Sequence, residues 1–325
     1  MNERLHRLHR LLTTMQGQRA LVLWRVVAGC TMLAQLLAAL PQRHFLFGRH
    51  GVYPIEYATS TSVFGLYSMV DSPLGFELLF FGTIAAAVVW TLGLALPVST
   101  VVVLVLWKST FDRLPGLADG GDNLTHLMLI YALLTNLGGS RGERWLQRMP
   151  RWCRDIRAMV HNTGVAAMWI QVCIVYFIAG AAKLHGEAWR NGTALYYALG
   201  TSKYSMPGLV DPLLDAPVLL TLLAYATLVF QVGFPFLVAL NPYSRRIALA
   251  IALSFHFGIA TVMGLTTFAF FMIAADLTFL TDVEIEAASV RLRRVWFRVR
   301  PNSPLGRTPI NHNNEQTQHK EGNEA

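Results

Sequence analysis

Charge is what this sequence has least of. Only 14% of its 325 residues are Asp, Glu, Lys or Arg, and 54% are apolar, whereas soluble globular domains carry about 25% charged residues. A water-soluble core cannot absorb that much apolar surface, so the soluble globular class is excluded. Cysteine is scarce as well. Cys30, Cys153 and Cys173 lie far apart with no CxxC or Cys/His spacing, which gives neither a disulfide framework nor a metal site. GxSxG, HExxH, a Walker A loop and a GxGxxG opening a helix after a strand are all missing, so hydrolase, zinc-protease and nucleotide-driven readings have no support. No fixed-period repeat is present.

What the chain has instead is long apolar runs. A helix crossing the hydrocarbon layer needs about 20 mostly apolar residues, because it rises about 1.5 Å per residue across about 30 Å. Eight segments fit that requirement, at 20–40, 76–95, 97–107 (short), 123–138, 164–183, 217–240, 246–264 and 267–282, with Pro and Gly marking the turns between them. The fold class expected is therefore all-α, a polytopic transmembrane bundle of about eight spans. The first apolar run is longer than a signal-peptide core and has no small-residue cleavage site, so it reads as a retained span.

Net charge is +8, but the basic residues sit in loops between apolar runs and not with aromatics on one folded face. Membrane lipids are the partner this implies, and nucleic acid is not. Sorting Lys and Arg into the two alternating sets of loops puts nineteen in one set, including Arg141 to Arg157, Arg245 and Arg246 and the group from Arg291 onward. The other set holds seven: Arg43, Arg49, Lys108, Arg113, Lys183, Arg190 and Lys203. That bias places both termini in the cytoplasm. The organisation expected is a basic N-terminal segment at 1–19, a membrane domain at 20–283, a basic juxtamembrane segment at 284–300 suited to anionic headgroups, and a polar disordered tail at 301–325.

Chemistry concentrates after the fifth span, in YFIAGAAKLHGEAWRNG. Lys183 ends an apolar run there, at the outer membrane boundary, where desolvation disfavours the ammonium and leaves an amine able to take a proton. A lysine snorkelling to the headgroups explains the same position. His185 and Glu187 stand beside it. His256 lies mid-span, where an imidazole needs a hydrogen bond or a cavity. Arg25 is similarly deep, at the start of the first span, and either pairs with a carboxylate, for which Asp276 is a candidate, or reaches the cytoplasmic headgroups. Asp122 and Asn123 open a helix, where capping accounts for Asp122. Trp24, Trp107, Trp169 and Trp189 fall near expected interfaces, where anchoring is the default role.

The run Tyr176 to Gly180, then Lys183-Leu184, then Trp189 and Gly192, resembles the signature of the HTTM domain family, the membrane core shared by vitamin K-dependent γ-carboxylase and bacterial SdpB-type proteins. GGDNLTHLMLIYALLTN and LSFHFGIATVMGLTTFAFFMIAADLTFL extend the likeness to about residues 20–283. The resemblance implies a catalytic base at Lys183, with Asn123, His126 and His185 as hydrogen-bond partners. Trp189 and Gly192 would shape the loop, with His256 lining a substrate site. The family follows Asn123's counterpart with a functional histidine; this chain has Leu124 there and His126 one turn on. A reduced quinone such as vitamin K is the implied cofactor, and a secreted peptide and a partner subunit are the implied partners. The location implied is the bacterial cytoplasmic membrane. Two functions follow: an enzyme acting with a lysine base on an extracytoplasmic peptide or quinol, and a non-catalytic factor for maturation or export of a secreted peptide.

Overall fold

The computed structural model describes residues 12–53, 65–114, 116–138, 148–201 and 208–299, together with 6, 9 and 206. Arg141, Arg144, Lys203 and the tail at 301–325 lie outside the described residues. Regular structure among the described residues is entirely helical. The principal helices are α1 (Gln18–Ala39), α2 (Pro73–Leu92), α3 (Leu96–Arg113), α4 (Gly120–Ala132), α5 (Arg151–His185), α6 (Pro217–Leu240), α7 (Pro242–Val262) and α8 (Thr266–Leu277). Each of the eight expected segments holds one of them. Five are long and apolar enough to cross a membrane: α1 with its continuation to Phe47, α2, α5, α6 and α7. The third is longer than the sequence pattern indicates, because α3 continues through the polar residues Lys108 to Arg113.

Helix ends follow local chemistry. Pro occupies the first turn of α2, α3, α6 and α7, where its missing N–H has no intrahelical partner to lose. Asp119, not Asp122, caps α4: its carboxylate accepts from Gly121 N (2.7 Å) and Asp122 N (3.1 Å). Asp122 returns the bond by accepting from Asp119 N at 3.0 Å, a capping box. Arg157 on α5 donates to the carbonyls of Leu134 (2.6 Å) and Thr135 (2.9 Å) beyond the end of α4, so one of the basic residues near the start of α5 also closes a helix terminus.

The bundle is inside-out relative to a soluble protein. Val218, Val229 and Leu240 on α6 are more than 70% exposed, while Ala20, Ala28, Ala224, Ala248, Ala252, Ala269, Ala274 and Ala275 are buried. Small residues inside let helix backbones approach where lipid offers no hydrophobic drive for large ones. Gly29 illustrates this: a Cβ there would lie 2.0 Å from Thr91 Oγ1, so α1 and α2 touch at that point. Helix α8, with only 12 residues, is the central one, packed against α1, α4, α5 and α7.

Trp24 and Trp107 are core residues and not interface anchors. They are 0% and 2% exposed, Trp24 edge-on to Trp90 and Trp107 edge-on to Phe111 and Phe271. Arg113 is likewise buried, donating to the carbonyls of Phe47 (2.9 Å), Tyr53 (2.6 Å) and Gly48. The bundle, ending at Asp282, is one compact unit and the segment from Val283 is another. From Asp282 the chain continues as helix α9 (Asp282–Val299), acidic in its first half and basic in its second, an order that suits the helix dipole.

Candidate functional site

Lys183 stands in the last turn of α5, half-buried. Its Nζ donates to the Ala179 carbonyl at 3.3 Å and lies 5.4 Å from the centroid of the Trp189 ring, a cation–π geometry. The loop that carries Trp189 is tied down on α6. Tyr225 on α6 donates to the Arg190 carbonyl at 3.0 Å, and the short helix Ala194–Leu199 packs against α6. Gly192 is buried with φ +78, and a Cβ there would lie 2.5 Å from Thr221 Cγ2, so this turn has room for glycine alone. Lys183 and Trp189 are thus brought together. His185 is exposed and turns back to the Ala181 carbonyl (2.9 Å), Glu187 and Asn123 are exposed, and His126 is half-buried. None of these four hydrogen-bonds Lys183 among the described residues.

Two turns along the same face of α5, about 10 Å by helical rise, lies a second polar cluster. Tyr176 donates to Asp276 on α8, at 2.9 Å to Oδ2 and 3.2 Å to Oδ1. His256 on α7 places Nε2 2.7 Å from the Tyr176 hydroxyl and 3.8 Å from Asp276 Oδ2. All three residues are 1% exposed. A phenol has one proton, so with Tyr176 donating to Asp276 its oxygen accepts from His256 Nε2–H. His256 Nδ1 then has no partner. Aromatic rings wall the cluster: Phe234 stacks on Tyr176 at 4.0 Å, and Phe255 and Phe268 lie against His256. Hydrogen-bonded polar groups at this depth knit three helices together, and they are also where membrane proteins place function.

The expected Arg25–Asp276 pair is not formed. Asp276 binds Tyr176 and His256, whereas Arg25 Nη1 donates to the carbonyls of Trp90 (2.6 Å) and Thr91 (2.5 Å). Those carbonyls end α2, where Gly93 takes φ +78. The guanidinium occupies the space a Gly93 side chain would need, 2.8 Å from an ideal Cβ. Position along the chain indicated that both residues were deep, but not which neighbours they face.

A third group gathers where α4 begins. Asp122 is fully buried. The Gln35 side chain on α1 lies close to it. Asp122 Oδ1, Gln35 Oε1 and His126 Nδ1 are nonetheless buried without partners. Asp122 and His126 are one turn apart on one helix face. A quinol presents hydroxyl groups that both donate and accept, and orphaned buried polar atoms of this kind fit such a group. Sequence reasoning named His126 but missed Gln35, which looks like an ordinary polar residue in an apolar run. Tyr176 stood in plain view inside YFIAG, but its partners are eighty and a hundred residues away.

Comparison with known proteins follows the same lines. The family model for the HTTM domain matches residues 16–282, most of the chain. The chain belongs to the HTTM domain family. Two curated proteins of Bacillus subtilis (strain 168) are similar to it, each at 26% identity: the uncharacterised protein YitO over 182 residues and the sporulation-delaying protein SdpB over 170. These alignments cover 54% and 51% of this chain and 58% and 52% of the relatives, so the chain spans about half the length of the curated relatives it matches. No solved structure matches it. This HTTM protein is a membrane protein, with its apolar helices and all three polar clusters inside the matched region.

Proposed function

We propose that this HTTM protein is a multi-pass enzyme of a bacterial cytoplasmic membrane, crossing it eight times with both ends inside, in which Lys183 is a general base acting on an extracytoplasmic peptide or a lipid-soluble quinol. The observation that carries this reading is the placing of the Lys183 amine: it is held by the Ala179 carbonyl and shielded by the Trp189 indole, at a helix end where water is limited. Partial desolvation and a fixed position are what a lysine base needs. Resemblance of the motif around Lys183 to the γ-carboxylase signature supports the same role.

A reduced quinone, when bound, would supply the electrons of the reaction. Gln35, Asp122 and His126 would hold its polar group through their unpartnered atoms, and the apolar walls of the bundle would exclude water from it. A peptide substrate is what the resemblance of the Lys183 motif to the γ-carboxylase signature implies.

One observation favours a second reading. An amine bonded to a carbonyl in the last turns of its own helix and lying on a tryptophan is also how a headgroup anchor sits, and a non-catalytic factor for maturation or export of a secreted peptide would need no more. Lys183→Arg separates the two, because it keeps charge and reach but never deprotonates. Mass spectrometry of the peptides secreted by the native host, with and without this substitution, is the test. Loss of a processed peptide in the Lys183→Arg strain is the expected result; an unchanged profile would sink the enzymatic reading.

A further inference from the structure

Along the outer side of α5 and α6 runs an apolar groove of about 490 Å³, open to the surroundings. Gly180 stands near one end of it. At Gly180 the two helices touch, since a Cβ there would lie 2.9 Å from Val232 Cγ2 and 3.0 Å from the Val232 backbone. Away from that contact α6 carries Pro235 in its interior, which removes a backbone hydrogen bond and favours a bend. The slot beyond the contact is lined by Trp169, Cys173 and Ile174 of α5 and by Pro235 and Val238 of α6. Trp169 is held in place by donating to the Thr278 carbonyl at 2.9 Å.

One charged residue lines this otherwise apolar slot. Arg245, in the first turn of α7, closes its end opposite Gly180, and Arg246 follows it in the same turn. An apolar channel about as long as a few helical turns, with one guanidinium group at a helix terminus, has the polarity of an anionic phospholipid: hydrocarbon along its length and an anion at one end. Basic pockets between transmembrane helices bind anionic headgroups for this reason.

We infer that the α5–α6 groove is a binding site for one anionic phospholipid, with an acyl chain beside Cys173 and Pro235 and the phosphate at Arg245. This site is separate from the Lys183, Tyr176 and Asp122 clusters, and its occupation does not depend on the protein being an enzyme.

The test uses full-length protein with Cys30 and Cys153 replaced by alanine, so that Cys173 alone reports on the slot. Delipidated protein in detergent receives phosphatidylglycerol or phosphatidylcholine of matched chains. Retained lipid is counted by native mass spectrometry, and the rate at which Cys173 reacts with an apolar maleimide is followed. Phosphatidylglycerol is expected to be retained as a single molecule and to slow labelling about fivefold more than phosphatidylcholine, the factor one basic residue contributes near an anion. Arg245→Gln is expected to erase that difference, and Ala239→Trp, on the exposed rim, to slow labelling without added lipid. Equal protection by both lipids, or a preference that survives Arg245→Gln, would show ordinary annular lipid and overturn the inference. Equal protection by a long-chain quinone would overturn it too.

Discussion

Replacing Tyr176 with phenylalanine deletes one oxygen atom and with it every link between His256 and Asp276 that is shorter than 3.8 Å. The aromatic ring stays, and so does its 4.0 Å stack on Phe234, so packing loss is small and the change isolates the hydrogen bonds. Two are broken, one to the imidazole and one to the carboxyl. Hydrogen bonds inside transmembrane bundles contribute about 0.6 kcal/mol on average and about 1.7 kcal/mol at most, which gives about 1 to 3 kcal/mol of destabilisation for Tyr176→Phe. Asp276→Asn keeps the shape and still accepts from the Tyr176 hydroxyl, so it should cost less. Because both residues belong to one network, the double variant should be less destabilised than the sum of the two, by at least about 0.5 kcal/mol. Reversible unfolding in mixed micelles, followed by circular dichroism, gives all four stabilities. Should Tyr176→Phe unfold with the parent, or the two losses simply add, the network would not be what joins α5, α7 and α8.

Two further outcomes follow from the same structure. Gly180→Ala places a methyl 2.9 to 3.0 Å from Val232 and Gln231 and should cost about 1 to 3 kcal/mol by overpacking, whereas Gly233→Ala, which meets nothing within 4 Å, should be neutral or mildly stabilising; thermal melts compare them. Gly93→Ala should lose about 1 to 2 kcal/mol from its left-handed backbone and more from displacing Arg25, and an intact melting temperature would refute the fit described between them.

The residues differ in how far sequence alone reached them. His256 was recognisable because an imidazole in the middle of an apolar run is costly whatever surrounds it, and Lys183 because it ends such a run inside a recognisable motif. Gln35 carries no such mark. Tyr176 stands inside that motif and Asp276 near the end of its helix, so both could be named, but nothing along the chain brings them together. Trp24 and Trp107 show the converse: their positions near the ends of apolar runs suggest anchoring, yet both rings face inward.

By itself the sequence determined that the chain is a membrane protein, where its helices lie and which turns are basic, because the transfer of a segment into hydrocarbon depends on the summed apolarity of about 20 consecutive residues. That sum is local and one-dimensional. It does not register which way a side chain points around the helix or which helix lies opposite. Only the tertiary structure decided that the 12-residue α8 sits at the centre, that Arg25 closes α2 and leaves Asp276 to Tyr176, and that α5 and α6 touch at Gly180. Those outcomes depend on the rotation and spacing of helices far apart in the chain, which small residues and buried hydrogen bonds set through contact.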